Sequence, residues 1–252
     1  MVSWNNYSHI RPNDIILASY PRSGNTWVMN LLLCLDILVL EGYQHDLSAI
    51  KSAKDVPSSS KGLLPALEQL KAKGDADNNV RVIKTHSLPL DIFKKAIYIY
   101  RDGRDSVLSY YHYSRRFEDF TGSFLDFLRG SKEPVRAWAE HVRQWLDAGR
   151  HMTAHYVRYE DLLYDTTGQT RKLAHFAGIQ KHNDCEIEKA VSACSFDRLK
   201  RSETEKIGKL KDNDLYFFRK GCSGQWKEAY DSEHIELFNS QAGNILDELS
   251  YL

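Results

Sequence analysis

Cysteine is scarce. Cys34, Cys185, Cys194 and Cys222 are the only four in 252 residues, too scattered for a disulfide framework, and no two form a CxxC pair. That excludes a disulfide-stapled secreted fold and points to a reducing compartment. Charge of one sign is also missing, because 34 basic residues face 34 acidic ones. No global field then draws nucleic acid or an anionic membrane, so any anion site is local. Long apolar runs are lacking too: the greasiest, 27–40, is too short to span a bilayer and contains Asp36. The N-terminal stretch 1–13 lacks the basic, apolar and small-residue order of a secretion signal, so a cytoplasmic location is expected. There is no solenoid or propeller repeat, no GxxxxGK[ST] phosphate loop and no His/Asp/Glu cluster at metal-ligand spacing.

What is present is ordinary for a folded chain: 42% hydrophobic, 12% aromatic and 27% charged residues. The length fits one α/β domain over 1–252. Apolar, β-branched or aromatic runs at 15–20, 80–85, 96–100 and 155–158 read as strands, and periodic stretches at 26–40, 105–116, 135–148, 167–178 and 232–249 read as helices. The alternation predicts a central parallel sheet flanked by helices, with ligands at the carboxyl ends of the strands. The stretch 41–79, with its Pro57-Ser58-Ser59-Ser60 tract, reads as an insertion or lid.

Four segments carry chemistry. Tyr20-Pro21-Arg22-Ser23-Gly24-Asn25-Thr26-Trp27 joins a predicted strand to a predicted helix. Gly24 lets backbone approach an anion, Asn25 and Thr26 add polar groups at a helix start, and Arg22 adds a cationic fork. A plain helix cap beside a stray arginine is the alternative. Lys84-Thr85-His86 ends another strand, which places an imidazole of ordinary pKa about 6.5 at the ligand crevice. Position alone separates His86 from the other nine histidines. Arg101 stands at a third strand tip, with Ser109 about two helical turns further on, so a bidentate cation and a neutral donor meet at one phosphate if the helix packs back. Arg104 and Asp105 read as cap and charge balance for that helix, whose start would otherwise be merely charged. Arg219-Lys220-Gly221 sits in a glycine-bearing loop that either closes over an anion or is a solvated basic turn.

Taken in order, these segments resemble the cytosolic-type sulfotransferases, which move a sulfonate from 3′-phosphoadenosine 5′-phosphosulfate (PAPS) to a hydroxyl or amine. The resemblance runs over 11–235 and is weakest over 41–79, with the SGxTW core of the phosphate loop preserved. It implies the P-loop-like sulfotransferase fold, lids at about 41–79 and 205–220, PAPS as cofactor with PAP as product, and no metal. Arg22, Ser23, Gly24, Asn25 and Thr26 are then expected at the 5′-phosphosulfate, and Arg101, Ser109, Arg219, Lys220 and Gly221 at the 3′-phosphate. Trp27, Tyr159 and Phe196, the last within Cys194-Ser195-Phe196, match positions around adenine. His86 matches the general base, and Lys84 and Arg22 the cations near the transferring group. Trp4, Tyr7, Tyr20 and Tyr216 are candidates for the wall of an acceptor pocket.

The chain departs from the family at three points. Arg22 replaces the usual phosphate-loop lysine and, never deprotonating, acts by charge alone. Asn25 replaces a threonine but keeps an N–H donor. The dimer signature survives only at its ends, Lys227 and Glu236, so a monomer or weak homodimer is expected. The expected partner is a small-molecule acceptor, not nucleic acid or membrane. Two other classes stay in view: a non-catalytic nucleotide-binding protein, and a nucleotide phosphotransferase, for which the Walker lysine and Mg²⁺ carboxylates are missing from the sequence.

Overall fold

The apolar runs of the sequence come together as one sheet. In the computed structural model, which describes residues 10–41, 80–179, 183–208 and 216–252, the strands are β1 (Ile15–Ser19), β2 (Leu38–Glu41), β3 (Arg81–Thr85), β4 (Lys95–Tyr100) and β5 (Thr153–Arg158). All pairings are parallel and the order is β2-β3-β1-β4-β5. Every residue of β1 is buried, which explains why Ile15-Ile16-Leu17-Ala18 reads as a continuous apolar run: parallel strands are covered on both faces. Ala18 pairs with Thr85 and Ser19 with Ile99, so β1, β3 and β4 end level. The chain leaves β1 toward one edge through β2 and β3, then crosses to β4 and β5 on the other. β1 therefore marks the switch point where a crevice opens outside the strand ends.

One expected helix is shorter than its pattern. The helix foreseen over 26–40 is α1 (Asn25–Cys34), and the last residues of that run become β2. Asp36 at φ 58° lets the Ile37 N–H reach the Leu32 carbonyl at 3.0 Å and its own N–H reach Leu33 at 3.1 Å, a Schellman termination with aspartate in the usual glycine place. Apolar periodicity alone does not separate a buried helix from a buried strand at this length.

The other foreseen strands and helices form with shifts of one or two residues. They are joined among the described residues by α2 (Gly103–Phe117), α3 (Phe124–Arg129), α4 (Pro134–Ala148), α5 (Tyr159–Tyr164), α6 (Thr166–Phe176), α7 (Asp184–Ala193), α8 (Phe196–Ile207), α9 (Trp226–Ala229) and α10 (Ser232–Glu248). α3, α5, α7, α8 and α9 are additions to the sequence reading. One core packs the sheet against α1, α6 and α7; a second joins α2, α3, α4 and α10 around Trp138 and Phe238. Among the described residues no helix is long and apolar enough to cross a membrane.

A buried ion pair braces the amino ends of the strands. Arg81 donates Nε to Asp14 Oδ1 at 2.9 Å and Nη2 to Oδ2 at 2.6 Å, and the Arg11 N–H adds a bond to Oδ2 at 2.8 Å. Replacing Arg81 with Met strands a buried carboxylate, so urea denaturation is expected to lose about 3–5 kcal/mol. The double change Asp14→Leu with Arg81→Met is expected to cost clearly less, and an equal cost would disprove the charge-stranding account.

Candidate active site

The level strand tips set three polar segments side by side. After β1, Arg22 (φ 69°) and Gly24 (φ 103°) bend the chain into α1, with Gly24 at the N-cap position. The close approach is real: a Cβ on Gly24 would lie 2.7 Å from the Tyr159 ring. Ser23 Oγ meets Ser106 Oγ of α2 at 3.2 Å, joining the loop to the next helix. Thr26 Oγ1 accepts from Lys84 Nζ at 3.5 Å, so the β3 lysine reaches across to the loop. The Asn25 amide donates to the Leu17 and Thr85 carbonyls at 3.4 and 3.1 Å, tying β1 to β3, while its Oδ1 is buried without a hydrogen bond. The donor expected at the phosphosulfate is therefore engaged with the strands.

His86 stands just past β3. Its Nδ1 lies 2.8 Å from the Ser19 carbonyl, which can only accept, so the proton sits on Nδ1 and the lone pair on Nε2. Burial, then the Lys84 ammonium, pushes its pKa down to about 3. The ring is neutral at physiological pH, in the tautomer a base needs. Behind it, His141 is 5% exposed, shares a 2.9 Å bond with the Tyr98 hydroxyl, and is lowered by burial to about 4.

Arg101 ends the third segment. Its Nη1 donates to the Arg22 carbonyl at 3.4 Å, and Nη2 to Asp105 Oδ2 at 3.3 Å and the Cys222 carbonyl at 2.9 Å. The guanidinium lies 4.3 Å from the Tyr159 ring centroid, and its Nε is buried without a hydrogen bond. Asp102, not Asp105, caps α2, accepting from the Arg104 N–H at 2.9 Å. Asp105 instead accepts from the Gly224 and Trp226 N–H groups at 2.7 and 3.0 Å. The cap reading of Asp105 is thus corrected: the carboxylate is buried and ties down the C-terminal loop, a partnership across more than a hundred residues that no local pattern displays.

That loop brings Arg219, Lys220 and Gly221. Arg219 bonds Gln225 Oε1, and Lys220 faces the exposed Glu228 at 3.6 Å. Gly221 (φ 63°) lies so close to Phe196 that a Cβ would collide with the ring. Ser109 Oγ accepts from Arg22 Nε at 3.2 Å, as α2 does pack back. Trp27 sits edge-on to Tyr159 at 6.0 Å and donates its indole N–H to the Cys194 carbonyl at 3.0 Å. Tyr20 is buried, donates to the Pro134 carbonyl at 3.1 Å and packs edge-on to His141. Tyr216 is buried beside a cleft shared by Arg22 and Arg219. Trp4, Tyr7 and the 41–79 stretch lie outside the described residues.

A model of the sulfotransferase domain matches residues 12–248. The chain belongs to the sulfotransferase family. Membership makes it a transferase of sulfonate from PAPS. Similar proteins include a flavonol 4′-sulfotransferase of Flaveria chlorifolia, 30% identical over 90% of this chain and 77% of that one. Human sulfotransferase 1E1 is 26% identical over 90% of this chain and 82% of its own. Among solved structures, mouse sulfotransferase SULT7A1 complexed with PAP superposes with a TM-score of 0.66 at 24% identity, covering 96% of this chain and 90% of that one. This likeness extends the family assignment to the fold.

Two neutral histidines, the buried His141 and the half-buried His86, are expected to make this sulfotransferase acid-sensitive. Below an ordinary pKa of 6.5 the unfolded His141 binds a proton that the folded one refuses until about pH 4. Stability therefore falls with pH through that window, by up to about 1.4 kcal/mol per pH unit for this group. The change His141→Gln is expected to flatten the fall seen by urea denaturation between pH 7 and pH 5; an unchanged slope rules the source out.

Proposed function

We propose that this sulfotransferase binds PAPS across the carboxyl ends of β1, β3 and β4, and passes the sulfonate to the hydroxyl of a small acceptor in the cytoplasm, with His86 as general base. The observation that carries the reading is the bond from His86 Nδ1 to the Ser19 carbonyl, which leaves Nε2 free of the proton and set beside Lys84. The nucleotide fits the residues present: Arg101 Nε is a buried donor without a bond, and Gly24 and Gly221 bring backbone against the rings of Tyr159 and Phe196. The SULT7A1 structure, similar in fold, holds PAP, and the flavonol relative is named for a phenolic hydroxyl acceptor.

PAPS supplies a sulfonate already activated by a phosphate leaving group. The protein's part is placement, proton removal and charge. Trp27, Tyr159 and Phe196 hold adenine, Arg101, Ser109 and Arg219 hold the 3′-phosphate, and Gly221, with Lys220 at its rim, closes the loop. At the 5′ end the N–H groups of the Ser23 to Thr26 turn meet the anion at a helix start. Lys84, resting on Thr26, offsets negative charge on the leaving oxygen. His86 Nε2 takes the acceptor proton as the acceptor oxygen attacks the sulfur in line with the bond that breaks. Its lowered basicity matches a phenol better than an aliphatic alcohol, because a phenol of pKa about 10 gives its proton up more readily.

Incubation with PAPS and a panel of phenols is expected to release PAP, and no PAP with any acceptor sinks the proposal. His86→Ala is expected to lower turnover about 10²–10⁴-fold while PAP affinity persists. PAP is expected to raise Tm strongly and AMP barely, because two charge-assisted bonds to a 3′-phosphate amount to about 3–6 kcal/mol; equal shifts would contradict the site assignment.

A further inference from the structure

The adenine side of the candidate site is tied to a pair of thiols that the proposed chemistry does not use. Cys34 is the last residue of α1 and Cys194 follows the last residue of α7, yet their sulfurs lie 3.6 Å apart, in hydrogen-bond contact across 160 positions of chain. Both are thiols; Cys194 is 2% exposed, whereas Cys34 is half-buried and within reach of a small reagent. Trp27 stands two helical turns before Cys34 on the same face of α1, and donates its indole N–H to the Cys194 carbonyl at 3.0 Å. One face of α1 thus holds Cys194 twice, by its carbonyl and by its sulfur. Two residues further on, the Phe196 ring packs against the backbone of Gly221. The bond to Cys34, and then burial, push the Cys194 thiol well above the ordinary range, so this cysteine keeps its proton and Cys34 meets the reagent first.

We propose that Cys34 and Cys194 close reversibly into a disulfide when small disulfides accumulate, and that closure loosens the nucleotide site from its adenine end. The covalent site needs no assumption about the nucleotide; its effect on binding rests on the PAPS reading above. Cys34 gives its proton to solvent and, as thiolate, attacks one sulfur of oxidised glutathione, expelling a glutathione thiolate that takes up a proton. The Cys194 sulfur then attacks the Cys34 sulfur, and the Cys194 proton leaves with the second glutathione. Two protein thiols are oxidised to one disulfide, and one glutathione disulfide is reduced to two thiols. A disulfide sets its sulfurs about 2.0 Å apart, so the pair must close by about 1.5 Å. That movement draws Cys194 toward the end of α1, off the line of its Trp27 bond, and carries Ser195 and Phe196 with it. In a reducing compartment the pair rests as two thiols and the adenine wall is intact.

The changes Cys185→Ser and Cys222→Ser remove the two exposed thiols, and reduced and oxidised samples of that one full-length protein are compared. Treatment with oxidised glutathione is expected to lower its mass by two hydrogens, with no glutathione retained, and peptide mapping to find Cys34 joined to Cys194. A protein that stays reduced, or ends as a stable glutathione adduct, overturns the inference. In isothermal titration the oxidised form is expected to bind PAP about two- to tenfold more weakly, the equivalent of one lost hydrogen bond, with full recovery in dithiothreitol. Unchanged PAP affinity in a protein that carries the bond overturns the switch. Adding Cys34→Ser is expected to abolish the response, and a loss of affinity that persists in this variant also overturns the inference. Circular dichroism checks its fold, with Cys34→Ala in its place should the serine not fold. If the reduced protein does not bind PAP, the PAPS reading fails, while the mapped disulfide is judged on its own.

Discussion

A buried carboxylate, Asp105, holds the far end of the chain against the strand tips. It accepts from Arg101 at the end of β4 and from the backbone of Gly224 and Trp226, residues that follow the Arg219 to Gly221 loop. A charge in that position is costly unless its acceptors are filled, and here three donors fill them. The same carboxylate offsets the charge of Arg101. The close approach of Phe196 to the backbone of Gly221 lies in the loop that Asp105 anchors. The position of the C-terminal loop against the strand tips therefore depends on one ion.

Around that anchor the site has a simple electrical plan. Neutral histidines lie beneath it, with His86 kept unprotonated by burial and by Lys84, and cations ring it. The family requires a base and an anion cradle within one crevice, and parallel strands that end level are well suited to hold both. Each tip contributes one component: the phosphate loop from β1, Lys84 and His86 from β3, and Arg101 from β4. The second core, built on α2, α4 and α10, keeps α2 folded back so that Ser109 faces the loop.

Much of this was legible in the residues. Ile15 to Ser19 announces a doubly covered strand, and Lys84-Thr85-His86 and Arg101 follow strand patterns directly. The family resemblance then ordered the cofactor contacts. Besides the short helices, two features escaped for physical reasons. β2 shares one mostly apolar run with α1, and the left-handed turn at Asp36 divides them. Asp105 looks like helix charge balance because its true partners lie far along the chain.

By itself, the order of residues determined the class of fold and the family and singled out His86 as the candidate base, because those depend on local period and on motifs contiguous in the chain. Tertiary structure alone decided which atoms those groups face. It set the imidazole proton on Nδ1 by placing a carbonyl there, turned the Asn25 amide onto two strands, and aimed Arg22 at Ser109 and Phe217. Hydrogen-bond direction and desolvation depend on neighbours brought together by folding, and no contiguous motif records them.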